Sequence, residues 1–223
     1  MMETLNIEQI VAEVMHRLTT LTDQSIPVEL SGRHVHLGEG DAHALFGTPL
    51  TPVQELSQPG QYVCKERVRL VGPKGVLDNV AVLGPARSAT QIEISLTDAR
   101  ILGMDVPIRQ SGDIEGTPGI ILTSGRKIIG IEQGVIVAGR HIHMSPADAE
   151  RFNVKDRQLV CVRMDGKRPA IFRDVLVRVH KDFRLAMHID FDEANGCGCG
   201  PDMRCTLVSP KMENICDSRS DGN

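Results

Sequence analysis

The sequence predicts a mainly β protein: two tandem β-rich domains with short helices, related by a pseudo-twofold axis and preceded by an amphipathic helix. The first observation behind this is a duplicated motif. L-S-G-R-H-V-H-L at Leu30–Leu37 returns as A-G-R-H-I-H-M at Ala138–Met144, led in by Ile26 and Val28 in one copy and by Val135 and Val137 in the other. The second is that the likeness continues downstream. V-R-L-V-G-P-K-G-V-L-D-N-V-A-V matches V-C-V-R-M-D-G-K-R-P-A-I-F-R-D-V-L-V, and Q-I-E-I-S-L-T-D-A (91–99) matches R-L-A-M-H-I-D-F-D-E-A (184–194) with two extra residues allowed. Copies of about a hundred residues exceed the period of a solenoid repeat, so they read as domains facing each other. The third is strand-like alternation broken by Gly/Pro turns from Ile26 onward.

Composition sets the outer bounds. At 223 residues the chain fits one large domain or two. It is 41% hydrophobic, which excludes global disorder, and its few aromatics (Phe 5, Tyr 1, no Trp) leave a core of Val, Ile and Leu. A net charge of −4 and a pI near 6.1 argue against a basic nucleic-acid-binding surface. No apolar run reaches the roughly 18 residues of a spanning helix, and the N-terminus lacks the basic-then-apolar layout of a secretory signal. Cys64, Cys161, Cys197, Cys199, Cys205 and Cys216 therefore read as reduced cytosolic thiols. The expectation is a cytoplasmic protein with no nucleic-acid or membrane partner.

Residues Asn6–Leu18 place Ile7, Ile10, Val11, Val14, Met15 and Leu18 on one helical face, with Asn6 as N-cap. A Thr/Ser tract then links this helix to the rest. Two readings stand: a helix packed on its own core, or a docking peptide that lays its apolar face into a partner's groove. Strands are expected at Val68–Val71, Val76–Leu83 and Gln91–Leu96. After the loop Gly112–Gly119, a hairpin is expected from Ile120–Leu122 and Lys127–Ile131 around S-G-R. In the second half, strands are expected at Leu159–Arg163, Ala170–Val179 and Phe183–Ile189. Short helices follow each histidine pair, at Glu39–Leu45 and Ser145–Phe152, the second opened by an N-cap serine and an N1 proline.

The chemistry concentrates on histidine. Side chains alternate along a strand, so His34 and His36 share one face, as do His141 and His143. A single H-x-H is as readily a surface pair; its duplication is what points to metal. By the same parity Glu93 and His188 project from equivalent faces of the later strands. Each half then offers three ligands, His34, His36 and Glu93 in one and His141, His143 and His188 in the other. Three protein ligands with an open position are the pattern of a catalytic zinc, and nitrogen and oxygen donors without thiolate equally admit iron, manganese or cobalt. His16, His43 and His180 sit in helical or strand-end contexts and read as non-ligands. Arg33 and Arg140 point away from the histidines, toward backbone or neighbouring carboxylates. Arg87, in L-G-P-A-R-S-A-T-Q-I-E, reads as a guanidinium on a loop above the site, suited to phosphate through paired N–H donors.

Together V-E-L-S-G-R-H-V-H-L, L-G-P-A-R-S-A-T-Q-I-E-I-S, V-A-G-R-H-I-H-M-S-P and L-A-M-H-I-D-F-D-E-A resemble the PduL-type phosphate propanoyltransferases, from about Ile26 to Asn195. The resemblance implies two β-barrel domains and two Zn2+ ions per chain at their junction. It implies His34, His36 and Glu93 on one ion, His141, His143 and His188 on the other, and Arg87 at the phosphate as the catalytic residue. It also implies exchange of coenzyme A for phosphate on a short acyl group, propanoyl and by extension acetyl, inside a bacterial microcompartment. Residues 1–20 would then recruit the enzyme to shell or core proteins.

The expected organisation is an N-terminal helix and linker over 1–25, a candidate encapsulation peptide. Repeats at 26–133 and 134–210 follow, then a polar tail at 211–223. Sheet edges and an apolar helix leave room for a homo-oligomer. The cysteine-rich stretch 195–208 fits no standard zinc-finger spacing and reads as a glycine-rich turn before a last strand at Cys205–Val208. Two other functions compete with the acyltransferase. One is a different metal-dependent hydrolase or dioxygenase on the same scaffold; the other is a non-catalytic microcompartment component.

Overall fold

The computed structural model describes residues 24–208. The predicted helix Asn6–Leu18, the tail 211–223 and Cys216 lie outside the described residues. In chain order the elements are β1 (Ser25–Leu30), β2 (His34–Gly38), α1 (Glu39–Phe46), β3 (Pro52–Glu55), β4 (Tyr62–Val71), β5 (Val76–Arg87), β6 (Gln91–Glu93), α2 (Leu96–Leu102), β7 (Ile108–Arg109), β8 (Ile120–Ser124) and β9 (Lys127–Ile131). The second half continues with β10 (Val135–Ala138), β11 (His141–Met144), α3 (Pro146–Arg151), β12 (Leu159–Met164), β13 (Ala170–Val179), β14 (Ala186–Ile189), α4 (Phe191–Cys197) and β15 (Arg204–Leu207).

The strands form two sheets, and the two repeats exchange their first strands. β1 pairs with β14 and β15 of the second half, whereas β10 pairs with β6 of the first. Packing follows the hydrogen bonds. Ile26 of β1 is buried in a core with Ile142, Val177 and Met187, and Val135 and Val137 of β10 lie in the core of Val35, Val82 and Ile92. The segments 26–133 and 134–210 are thus interlocked, each core completed by a strand from the other side.

One sheet closes and the other does not. The six strands β1-β14-β11-β13-β12-β15 form a closed barrel because β15 pairs with both β12 and β1. The first-half sheet runs β7-β10-β6-β2-β5-β4-β8-β9 and curls without closing. Its β8 takes β9 as second neighbour, so the edge that would meet β10 is capped by its own hairpin. The duplication survives in fine detail. Asn79 and Asp174, matched by the sequence repeat, both hold left-handed backbone at φ 56° where β5 and β13 break register.

Two local readings need correction. Alternation predicts strand through Leu96, but β6 ends at Glu93 and Leu96 opens α2. Ser95 and Asp98 form a capping box, a helix start that outweighs two apolar residues in alternation. The predicted match between 91–99 and 184–194 also needs no extra residues. β6 and β14 lie in the same register against β2 and β11, which sets Gln91 with Ala186 and Glu93 with His188. Ser95 then falls on Asp190, and both are N-caps with capping boxes.

Candidate metal centre

Strand pairing brings each set of three together. β2 and β6 run antiparallel with His34 opposite Glu93, and β11 and β14 run antiparallel with His141 opposite His188. The second histidine of each pair, His36 or His143, projects to the same face one strand period on. His34 Nε2 lies 3.5 Å from Glu93 Oε2. In the other set the rings of His141 and His188 stack at 5.0 Å, and His143 stands 4.7 Å from each. Within each set one donor atom per residue lies within 4.8 Å of the others, and these are the two such groups among the described residues. His43 and His180 are exposed and belong to neither.

The G-R-H tripeptide orients the first ligand. His34 Nδ1 donates to Gly32 O at 2.8 Å and His141 Nδ1 to Gly139 O at 2.9 Å. A carbonyl can only accept, so the proton sits on Nδ1 and Nε2 keeps its lone pair for the group. At both glycines a side chain packs close to where a Cβ would stand. A Cβ on Gly32 would stand 2.9 Å from the Phe191 ring, and one on Gly139 would stand 2.6 Å from Gln110 Nε2. Deeper in, His36 Nδ1, His143 Nδ1 and Nε2, and His188 Nε2 are buried without a hydrogen-bond partner. Orphaned polar atoms of this kind cost energy in a finished fold, and a cation held at the two groups would take one lone pair from each ring.

Electrostatics keep most of these imidazoles neutral. Burial lowers His36 to about 3, His143 to about 2 and His188 to about 3. Burial also pulls on His34, but the adjacent Glu93 carboxylate offsets it and leaves His34 raised. Burial pushes Glu93 up, yet His34 beside it holds the carboxylate well below its ordinary range. Glu93 also acts on His141 and His188, so the two groups share one field. Below pH 6.5 an unfolded chain takes up protons that folded His36, His143 and His188 refuse. Stability should therefore fall as pH falls from 6.5 toward about 3, by roughly 1.4 kcal/mol per pH unit for each histidine. His34 opposes this, contributing stability below 6.5 that is lost as pH rises through its raised value. Melts of the metal-stripped chain at pH 7, 6 and 5 should show the net loss; equal midpoints at all three would contradict it.

Both groups open on one cleft of about 510 Å³, lined also by Arg87, Ser111, Arg178 and Phe183. Arg87 was expected on a loop; it is instead the last residue of β5, paired with Gly38. The strand survives Gly84-Pro85 because the register breaks between His36 and Gly38, so Pro85 sits where no ladder donor is needed. Arg87 Nη2 lies 2.9 Å from His36 Nε2, and Nη1 is 3.4 Å from Ser111 Oγ. Gln91 ties the floor together, donating to Glu93 Oε1 at 2.6 Å and to Ser111 Oγ at 2.8 Å while accepting from Gly112 N at 2.7 Å.

Sequence reasoning missed several of these side chains. Gln91 was legible, two residues before Glu93 and so on the same strand face. Arg178 lies opposite His143 on β13, but the matching position in the other copy is Leu83, so the repeat gave no hint of it. Ser111 has no sequence signal. Glu29 reaches the second group across the exchanged strand, 3.8 Å from His188 Nδ1 and bonded to Ser57 Oγ at 2.5 Å. Cys197, Cys199 and Cys205 join neither group; Cys197 ends α4, Cys199 follows its C-cap and Cys205 lies in β15, where burial pushes the thiol up to about 12.

Comparison with known proteins gives one consistent answer. A family model described as phosphate propanoyltransferase matches residues 27–200. A phosphate propanoyltransferase of Sebaldella termitidis is 53% identical over 199 residues, covering 88% of this chain and 94% of the relative. One from Leptotrichia buccalis is 54% identical over 200 residues, covering 88% and 95%. One from Thermotoga maritima is 52% identical over 190 residues, covering 82% and 90%.

Proposed function

The chain belongs to the phosphate propanoyltransferase family, an acyltransferase family, and from that premise we propose that it converts a short-chain acyl-CoA and phosphate to acyl phosphate and CoA. We read the substrate as propanoyl-CoA, with acetyl-CoA as a second substrate, and the metal as two Zn2+ per chain. The observation that carries this reading is the facing of two three-ligand groups and two arginines onto one cleft. The donor set suits zinc: five imidazoles, one carboxylate and no thiolate, with buried nitrogens otherwise lacking partners.

His34, His36 and Glu93 would hold one ion, and His141, His143 and His188 the other. Bound zinc supplies a Lewis acid for the thioester carbonyl and a soft partner for the departing thiolate. Arg87 and Arg178 present fixed positive charge to the cleft and orient phosphate as nucleophile. Ser111, fixed by Gln91, contacts Arg87 and limits where the guanidinium can swing. A phosphate oxygen forms the new bond to the acyl carbon, the carbon–sulfur bond breaks, and its electron pair leaves on sulfur. Attack by phosphate itself makes a serine or cysteine nucleophile unnecessary, consistent with cysteines outside the groups. Arginine charge also opposes the negative charge that builds as the tetrahedral intermediate forms.

The test pairs metal analysis with a thiol-release assay on propanoyl-CoA and acetyl-CoA. About two zinc ions per chain and release that depends on added phosphate are the expected results. Release without phosphate would assign a thioesterase instead, and a metal-replete preparation with no release would remove the acyltransferase reading.

For organisation, we take 26–133 and 134–210 as duplicated segments and residues 1–20 as a docking helix for microcompartment shell or core proteins, with the enzyme in the lumen. The support is the single apolar face of Asn6–Leu18 ahead of a polar linker, together with the family resemblance. Deleting residues 1–20 should leave phosphate-dependent activity unchanged while abolishing co-sedimentation with co-expressed shell proteins. Loss of folded protein on deletion would instead place the helix in the core.

A further inference from the structure

We propose that Arg33 and Arg140 are positioning residues, each clamped to the carboxylate that opens the helix behind its partner ligand strand so as to fix the spacing of one metal group. The inference rests on the metal reading above. Arg33 Nη2 lies 2.9 Å from Asp98 Oδ1, and Arg140 Nε lies 2.9 Å from Glu193 Oε1. Each arginine immediately precedes the first histidine of its group, His34 or His141. Each acid lies five residues beyond the third ligand, Glu93 or His188, with the helix N-cap between them at Ser95 or Asp190.

Both carboxylates work with two hands. Asp98 Oδ2 accepts from Ser95 N at 3.3 Å, and Glu193 Oε2 accepts from Asp190 N at 3.2 Å. The N-cap side chains answer, Ser95 Oγ accepting from Asp98 N at 3.2 Å and Asp190 Oδ1 from Glu193 N at 2.8 Å. The ion pair and the capping box therefore join the residue before the first ligand to the N-cap two residues after the third. On the other side of the arginine, the glycine carbonyl holds the histidine Nδ1–H, so each part of G-R-H has a task in aiming one imidazole.

The duplication argues against a chance surface bridge. One copy joins the shorter acid, Asp98, to the far end of its guanidinium; the other joins the longer acid, Glu193, to the nearer Nε, and both arrive at the same 2.9 Å. Reach is compensated while geometry is kept. Asp98 is 4% exposed although Arg33 is 42% exposed, and Arg140 and Glu193 are 31% and 24% exposed, against 48% and 55% for the two side chains of Arg163–Asp165. Exposed pairs of that kind contribute little.

The experiment strips the full-length chain of metal and titrates Zn2+ against a chromophoric chelator, with Co2+ absorption spectra reporting ligand geometry. Arg33→Gln should weaken one of two sites by about 10- to 100-fold, the usual cost of losing an outer partner of a ligand, and leave the other unchanged. Arg140→Gln should weaken the other site, and Arg163→Gln neither. The reversed pair Arg33→Asp with Asp98→Arg should recover part of the loss, which keeps the test decisive if Arg33→Gln folds poorly. Unchanged affinities in both glutamine variants would overturn the clamp while leaving the metal reading intact. Equal weakening of both sites by either variant would overturn it in favour of general stabilisation. A wild-type chain that takes up no Zn2+ overturns the metal reading, and the clamp with it.

Discussion

His141→Ala is expected to remove about one of two zinc equivalents and to cost about 10³-fold in phosphate-dependent CoA release, the upper end of what one lost electrostatic stabiliser costs. The physical case is that His141 has no substitute within its group. Its ring stacks on His188 at 5.0 Å, its Nδ1 is committed to Gly139 O, and the neighbouring polar side chain on that face, Arg178, is a cation. Alanine there leaves two imidazoles, too few to hold an ion against water. The fold should tolerate the change, because His141 is only partly buried and the apolar neighbours Ile142 and Met144 keep β11 in its barrel. Metal content, melting temperature and CoA release together check this. A variant that keeps both equivalents of zinc and wild-type rates would take His141 out of the ligand set.

Arg87→Ala should lower kcat/KM for phosphate by about 10²-fold, a loss of the size expected for one positioned charged donor, and leave zinc content unchanged. The guanidinium is half-buried at the wall of the cleft, and burial lowers its proton affinity without discharging it. Arg87→Lys should recover only part of the loss, because an ammonium offers a point charge where a planar fork can hold two phosphate oxygens. Rates measured across phosphate concentrations at fixed propanoyl-CoA separate this from damage to acyl-CoA use. A variant whose phosphate dependence matches wild type would assign Arg87 to packing on His36 rather than to the anion.

By ligand charge alone the two metal sites would be unequal: Glu93 would make the first ion the weaker Lewis acid and His188 would leave the second with neutral ligands. The structure narrows that difference. Glu93 acts on His141 and His188 as well as on its own group, and Glu29 brings a second carboxylate near His188 from the exchanged strand. In the sheet, Glu29 stands beside His188 where Ile136 stands beside Glu93. Each sheet thus has one acid at this end of the cleft, in neighbouring positions.

Much of the site was legible because it is written in short-range rules. Two histidines at i and i+2 on a strand must share a face, and a repeated G-R-H-x-H must build the same corner twice. The S-P-A-D opening of α3 needed only the preference of serine and proline for helix starts. The capping boxes at Ser95 and Asp190 are equally local, but apolar alternation runs straight through the first of them and masks the helix start.

What the sequence by itself determined is the set of parts: strands, turns, short helices, six ligand-type side chains on matching faces, and an arginine near them. Local sterics and side-chain alternation act over a few residues, so they leave their mark in the order of the letters. Apart from the expected β8–β9 hairpin, only the tertiary structure decided which strand pairs with which. The exchange of β1 and β10 and the closure of one sheet by β15 depend on ladders between strands more than a hundred positions apart in some cases, as where Glu29 lies in register with His188. Backbone donors and acceptors are chemically alike at every residue, so the sequence does not label their partners. For that reason Arg178 and Glu29, which join the cleft through strand pairing, and Ser111, held there from a turn by Gln91, became visible only when the sheets were assembled.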